Sequence, residues 1–213
     1  MKKLNFPKDF DWGTASSGPQ SEGSKDKPHE SLWDYWYSQE KDRFYQKVGP
    51  KITCDSYNRY KEDIKIMSEL GLKSFRTSIQ WTRLIKDLET GEPDLKAVEF
   101  YNNYIDEMIK NNIEPVMNLF HFDTPIELEQ KYGGFKSKKV TELYIKFATT
   151  AFKLFGDRVK RWITFNEPVA HTKGAYLYDF IYPNELSMKS FAQANYNILL
   201  AHAGACKAYR DLQ

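Results

Sequence analysis

Apolar positions along the chain follow two alternating patterns. From Ser56, residues Tyr60, Ile64 and Met67 fall on one stripe that stops at Gly71, the residue type that closes a helix in a left-handed C′ position. Val98, Tyr101, Ile105, Met108 and Asn112 keep the same 3.6-residue period behind the turn Gly91-Glu92-Pro93-Asp94, which runs into a capping aspartate. Val140, Leu143, Phe147, Ala151 and Leu154 stripe a third helix, capped by Ser137 and closed by Gly156. Phe191, Ala194, Ile198, Ala201, Ala205 and Ala208 stripe a fourth, running almost to Gln213. Between the stripes lie short strand-like runs, Phe10 to Ser17, Lys73 to Ile79, Glu114 to Phe120 and Trp162 to Phe165. The last is β-branched or aromatic without polar alternation, which suits a strand covered on both faces. The segment from Gln20 to about Pro50 is polar and irregular, and predicts a long loop packed down by Leu32-Trp33-Asp34-Tyr35-Trp36.

Strand then helix, four times without a hairpin signal, predicts βαβ units and a parallel sheet. Polar residues gather where strands end: Gln20 after the first, His121 after the third, Asn166 and Glu167 after the fourth, with Arg76 inside the second. That clustering is how a (β/α)8 barrel builds an active site, whereas a doubly wound nucleotide fold would carry a glycine-rich phosphate loop in its first crossover, and no such loop is there. Later strand ends lie roughly 45 residues apart, so eight units need on the order of 400 residues. The expectation is therefore an α/β chain forming the N-terminal half of a TIM barrel, a single incomplete domain over residues 1–213. Its first and fourth strands would be open parallel edges, which soluble proteins avoid.

Composition narrows the function. With 41% hydrophobic and 28% charged residues the chain is ordinary for a globular protein, and a net charge of +2 with interspersed signs gives no footprint for nucleic acid. No apolar run approaches membrane-spanning length. Lys2 and Lys3 are not followed by a continuous apolar segment, which argues against a secretory signal. Cys54 and Cys206 lie outside any Cys-x-x-Cys spacing, so they are expected as free thiols in a reducing cytoplasm, and no partners for a metal site are found.

Arg161-Trp162-Ile163-Thr164-Phe165-Asn166-Glu167-Pro168 carries the chemistry. Pro168 stiffens the corner on which Asn166 and Glu167 leave the strand. An acid there, beside an amide able to bond a hydroxyl, is the equipment of a general acid. The competing reading is that the tripeptide merely caps the next helix. A retaining glycosidase needs two carboxyl groups about 5 to 5.5 Å apart. Glu167 suits the first role; Asp11, Glu22 and Asp123 lie near strand ends or loops but have less suitable surroundings. Arg76, among Phe75, Ile79 and Trp81, calls for an anionic partner, either a nucleophile carboxylate or a core acid. His29, His171 and His202 carry no context that assigns a role.

Together these residues resemble glycoside hydrolase family 1, the β-glucosidase and 6-phospho-β-glucosidase family. The likeness runs through Phe10-Asp11-Trp12-Gly13-Thr14-Ala15 with Gln20-Ser21-Glu22-Gly23, and Phe75-Arg76-Thr77-Ser78-Ile79-Gln80-Trp81-Thr82-Arg83. It continues in Asn118-Leu119-Phe120-His121-Phe122-Asp123-Thr124-Pro125, Tyr132-Gly133-Gly134-Phe135 and Thr164-Phe165-Asn166-Glu167-Pro168. The resemblance implies Glu167 as acid/base, Asn166 on the sugar 2-hydroxyl, Gln20 and His121 on hydroxyls farther round the ring, and Arg76 steadying the nucleophile. It implies retaining hydrolysis of a β-glycoside without cofactor, and likeness to the bacterial 6-phospho-β-glucosidases points to a phosphorylated disaccharide. Phe122 and Tyr132 stand where many members have Trp, as subgroup features. The family's Thr-Glu-Asn-Gly nucleophile segment and its Ser, Lys and Tyr for a sugar 6-phosphate belong to a second half not among these 213 residues. The chain alone is accordingly expected to be inactive, and a non-catalytic half-barrel that binds sugar or pairs with another chain is the alternative. A Schiff-base aldolase is disfavoured because Lys73 and Lys160 sit at strand starts. Oligomeric state is left open.

Overall fold

The computed structural model describes residues 5–213. Lys2 and Lys3, on which the reading of the extreme N-terminus rests, lie outside the described residues. Chain order is β1 (Gly13–Ala15), one-turn α1 (Gly18–Ser21), α2 (Leu32–Gln39), α3 (Ser56–Glu69), β2 (Ser74–Ser78), one-turn α4 (Trp81–Leu84), β3 (Ile85–Asp87) and β4 (Glu92–Pro93). Then follow α5 (Leu95–Lys110), β5 (Glu114–Asn118), α6 (Ile126–Tyr132), α7 (Lys138–Phe155), β6 (Arg161–Ile163), α8 (Pro168–Tyr176) and α9 (Met188–Asp211). The four stripes read from sequence are α3, α5, α7 and α9, except that α5 ends at Lys110 and Asn112 lies beyond it at φ 57°, where the chain turns toward β5. Gly71 takes φ 75° just past α3, as its C′ role requires. Asp94 and Ser137 accept hydrogen bonds from the first turns they were expected to cap.

The main sheet has the order β1-β2-β5-β6, every neighbouring pair parallel. These are four βα units with β1 and β6 at the edges, half the strand complement of a (β/α)8 barrel. Ala15, Arg76, Val116 and Arg161 share one row across the strands. Alternation then sends Phe75 and Met117 the other way, where both are buried in the core under the helices. At the strand starts Arg161 donates to Glu114 at 2.7 Å and to Asp11, just before β1, at 3.0 Å. A residue on one edge strand thus meets the chain leading into the other, so the sheet is strongly curled. The core between sheet and helices centres on Trp81, stacked on Phe147 at 5.5 Å and 8° and edge-on to Tyr144.

Two expectations are corrected. A hairpin is present after all: β3 and β4 pair antiparallel around Gly91, at φ 81°. Its strands are too short for any alternation to register in sequence. The Gln20–Pro50 segment is not a plain loop, because it contains α2. Ser31 and Asp34 close a capping box there, the Ser31 hydroxyl accepting from Asp34 N and the Asp34 carboxylate accepting from Ser31 N. Dense aromatics on every side of that short helix hid its period. Among the described residues, no helix is long and apolar enough to cross a membrane, no group of three His, Cys, Asp or Glu could hold a metal ion, and both cysteines are free.

Candidate active site

Four of the five candidate side chains, Gln20, His121, Asn166 and Glu167, come from the segments that follow the C-terminal ends of the parallel strands, and Arg76 comes from the middle of β2. Gln20 rides on α1, directly behind β1. Its turn sits close against β2: Gly18 N donates to Ser78 Oγ at 2.8 Å, and a Cβ on Gly18 would lie 2.4 Å from Gln80 Cγ, so only glycine fits. The Ser17 hydroxyl donates to Gln20 Oε1 at 2.8 Å, leaving the Gln20 amide NH2 available.

His121 follows β5 and is buried, with its backbone N–H donating to Asp123 Oδ1 at 3.1 Å. The other Asp123 oxygen accepts Trp81 N at 2.7 Å, which ties the β5 end to the β2 end. Burial and the positive charge of Arg76 push the His121 imidazole down to about 4. It is therefore neutral at neutral pH, with one ring nitrogen donating and one accepting, which suits a hydroxyl.

Gln20 and His121 share one cavity of about 380 Å³, whose remaining wall is chiefly apolar: Trp33, Phe44, Val48 and Phe122. Phe122 takes φ 65°, a left-handed conformation unusual for an aromatic residue, and stacks on the buried His171 ring at 5.2 Å and 19°.

Arg76, Asn166 and Glu167 form an adjoining cluster. Arg76 Nη2 donates to Asn166 Oδ1 at 2.6 Å, and Nη1 to Ser16 O at 3.4 Å. Asn166 N donates to Phe120 O at 2.9 Å, which fixes it beside the His121 turn. Desolvation lowers the Arg76 pKa, and the negative charge of Glu167 opposes it. Arg76 is half-buried rather than enclosed by Phe75, Ile79 and Trp81, because strand alternation puts it on the opposite face from Phe75. Its hydrogen-bond partners are an amide and a carbonyl, not a core acid.

Glu167 is exposed and takes φ 41°, ψ 58° as the N-cap residue of α8, with Pro168 in the first turn. Its carboxyl makes no capping hydrogen bond. The capping reading of the Asn-Glu-Pro corner therefore fails on its own terms: Asn166 is not the cap, and the residue that is leaves its side chain free. A non-glycine residue held in the left-handed region is the kind of strain that collects at functional sites.

The three carboxylates weighed as partners for Glu167 are committed elsewhere. Asp11 binds Arg161 at the opposite end of the strands, Asp123 is fully buried on backbone N–H groups, and Glu22 is fully buried against Arg83 at 2.7 Å. Sequence reading missed the wall of Trp33, Phe44 and Val48, because those residues converge only when the 20–50 segment folds over the strand ends. It also missed His171, which is four residues past Glu167 and so one helical turn on, an available but unspecific signal.

The chain belongs to glycosyl hydrolase family 1, whose family model matches residues 2–213. It is 48% identical to the 6-phospho-β-glucosidase GmuD of Bacillus subtilis, covering all of this chain and 46% of that protein. It is 38% identical to β-glucosidase 24 of Oryza sativa, covering 99% of this chain and 45% of the relative. Among solved structures, a β-glucosidase from Thermotoga maritima in complex with castanospermine superposes with a TM-score of 0.91 at 35% identity, covering 97% of this chain and 47% of that one. The chain spans about half the length of the relatives it matches, and its four βα units are the N-terminal half of their barrel.

Proposed function

We propose that this chain supplies the acid/base half of a retaining β-glucosidase site that acts on 6-phosphorylated β-glucosides in the cytoplasm. The observation that carries it is the Asn166–Arg76 hydrogen bond beside a Glu167 whose carboxyl is left free by the helix it begins. In the first step Glu167 donates its proton to the glycosidic oxygen as the bond to the anomeric carbon breaks and a second carboxylate bonds to that carbon. In the second step the Glu167 carboxylate takes a proton from the water that displaces this carboxylate with retention. Gln20 and His121 hold ring hydroxyls from the cavity side, Asn166 holds the 2-hydroxyl, and Arg76 keeps the attacking carboxylate ionised. No metal or organic cofactor enters either step.

The second carboxylate and the remaining strands come, in this reading, from polypeptide outside these residues, which form one incomplete domain. Phosphate preference rests on the 48% identity to a protein named as a 6-phospho-β-glucosidase. A second reading, a half-barrel that binds sugar or another chain without chemistry, is favoured by the open β1 and β6 edges and by the commitments of Asp11, Glu22 and Asp123.

The test is hydrolysis of aryl β-glucosides with and without a 6-phosphate, by the 213-residue chain alone and with the complementary half-barrel supplied. Turnover is expected only in the second case and preferentially with the phosphate. There Glu167→Gln should slow substrates with poor leaving groups by about 10²- to 10⁴-fold. An unchanged rate removes Glu167 from the acid/base role.

A further inference from the structure

Directly beneath the Gln20 turn lies a fully buried ion pair that the proposed chemistry does not use. The side chains of Glu22 and Arg83 are both 0% exposed, and Arg83 Nε donates to Glu22 Oε2 at 2.7 Å. The same oxygen accepts Gln80 Nε2 at 2.7 Å and the Tyr101 hydroxyl at 3.1 Å. The two remaining Arg83 nitrogens reach main-chain carbonyls, Nη1 to Lys25 O at 2.7 Å and Nη2 to Gly23 O at 2.9 Å. The guanidinium lies 4.3 Å from the centre of the Tyr57 ring. One planar fork therefore grips residues 22, 23 and 25 together, starting two residues past Gln20.

The segment is pinned on both sides. Before Gln20, Gly18 is pressed onto Gln80, itself a ligand of Glu22. After it, Gly23 at φ 72° abuts the chain at Lys51 and Ile52, where a Cβ would come within 2.7 and 2.8 Å of their carbonyl oxygens. That stretch is flanked by Pro50 and Thr53, which also line the cavity. Replacing a buried ion pair by apolar residues of the same volume is often neutral or stabilising, so the attraction between the two charges is by itself a weak reason for their presence. An apolar pair cannot hold a carboxylate and two carbonyls in one plane, and neither can the point charge of lysine.

We propose that Glu22 and Arg83 are positioning residues of the sugar cavity: they fix the register of residues 18–25, so that the Gln20 amide faces the cavity it shares with His121. The assignment of Gln20 to a sugar hydroxyl rests on the function proposed above; the positioning of its segment does not. The test compares the 213-residue chain with Arg83→Lys and with the double variant Glu22→Leu/Arg83→Met. Three quantities are read: the thermal midpoint, amide hydrogen exchange of residues 18–25 against α7, and the Kd for glucose 6-phosphate from NMR titration of the Gln20 side-chain amide.

The double variant leaves Gln80 Nε2, the Tyr101 hydroxyl and the Gly23 carbonyl without these partners, so its midpoint is expected to fall by several degrees, and the distribution of exchange along the chain decides what the pair does. Exchange at residues 18–25 should rise at least about tenfold over that in α7, with a Kd weakened by about tenfold, the worth of one well-made hydrogen bond. Arg83→Lys should show the same local loosening. Exchange that rises evenly through the chain as the midpoint falls would make the pair a stability element and overturn the proposal, as would unchanged exchange at 18–25. A parent chain that binds no sugar yet shows the same split in exchange would remove the sugar assignment of Gln20 and support the positioning of its segment.

Discussion

Asp123→Asn sets two opposing effects against each other at a single buried carboxyl. Asp123 is 0% exposed, and its two oxygens accept the backbone N–H of Trp81 at 2.7 Å and of His121 at 3.1 Å. Those hydrogen bonds favour the ionised form, while burial disfavours it. Burial wins, pushing the carboxyl from 3.8 up to about 6. A folded-state value above the unfolded one means that the unfolded chain releases the proton first as pH rises. The site's stability is then fully present below the unfolded value and lost as pH climbs through the folded one. The rise from 3.8 to about 6 amounts to about 3 kcal/mol lost between about pH 4 and pH 6. Asparagine does not titrate and can accept only one of the two backbone N–H groups, turning a donor toward the other. At about pH 4 the parent carboxyl is protonated, yet its hydroxyl oxygen keeps a lone pair for the second N–H, which an amide NH2 lacks, so the variant should be less stable than the parent there by about 1–3 kcal/mol. That gap should narrow steadily and close or reverse by about pH 7. Urea unfolding of both proteins across this range measures it, and the difference between them cancels every other titrating group. A gap that widens with pH would mean that the two N–H groups outweigh desolvation and that the carboxyl is held below its ordinary value, which would refute the reasoning.

Two further outcomes concern the frame around the site. Trp81→Ala removes a fully buried indole stacked on Phe147 and should cost about 3–5 kcal/mol in guanidinium unfolding; a loss under about 1 kcal/mol would mean the cavity collapses freely. Ser31→Ala opens the capping box of α2, the helix that carries Trp33 to the cavity wall, and should cost about 1 kcal/mol; an unchanged thermal midpoint would show that packing of Leu32 and Trp36 suffices.

Much of the frame was legible because long amphipathic helices announce themselves. The stripes at Tyr60, Tyr101, Phe147 and Ile198 each became a helix, and the strand-like runs between them became one parallel sheet. The strand runs were read too long: Phe10 to Ser17 contributes three residues to β1, which pairs from the start of β2 at Ser74 but stops at Ala15 because the chain turns into α1, while β2 runs on to Ser78. The hairpin of β3 and β4 and the helix α2 escaped because short elements offer too few positions for a period to repeat. Of the site, the polar residues at the strand ends were readable from position alone. Which of them touch was not: Arg76 and Asn166 are 90 residues apart in sequence and 2.6 Å apart in space.

Local rules acting over a few residues, such as apolar spacing, capping side chains and the stiffness of an Asn-Glu-Pro corner, were enough to fix the four βα units, their direction and the end at which chemistry would gather. Folding alone decided that Glu22 and Asp123 are buried and occupied while Glu167 is left free. The reason is that a carboxylate's availability depends on which distant donors reach it. Arg83 lies 61 residues from Glu22, and Trp81 lies 42 from Asp123; only a closed core brings them within hydrogen-bond range.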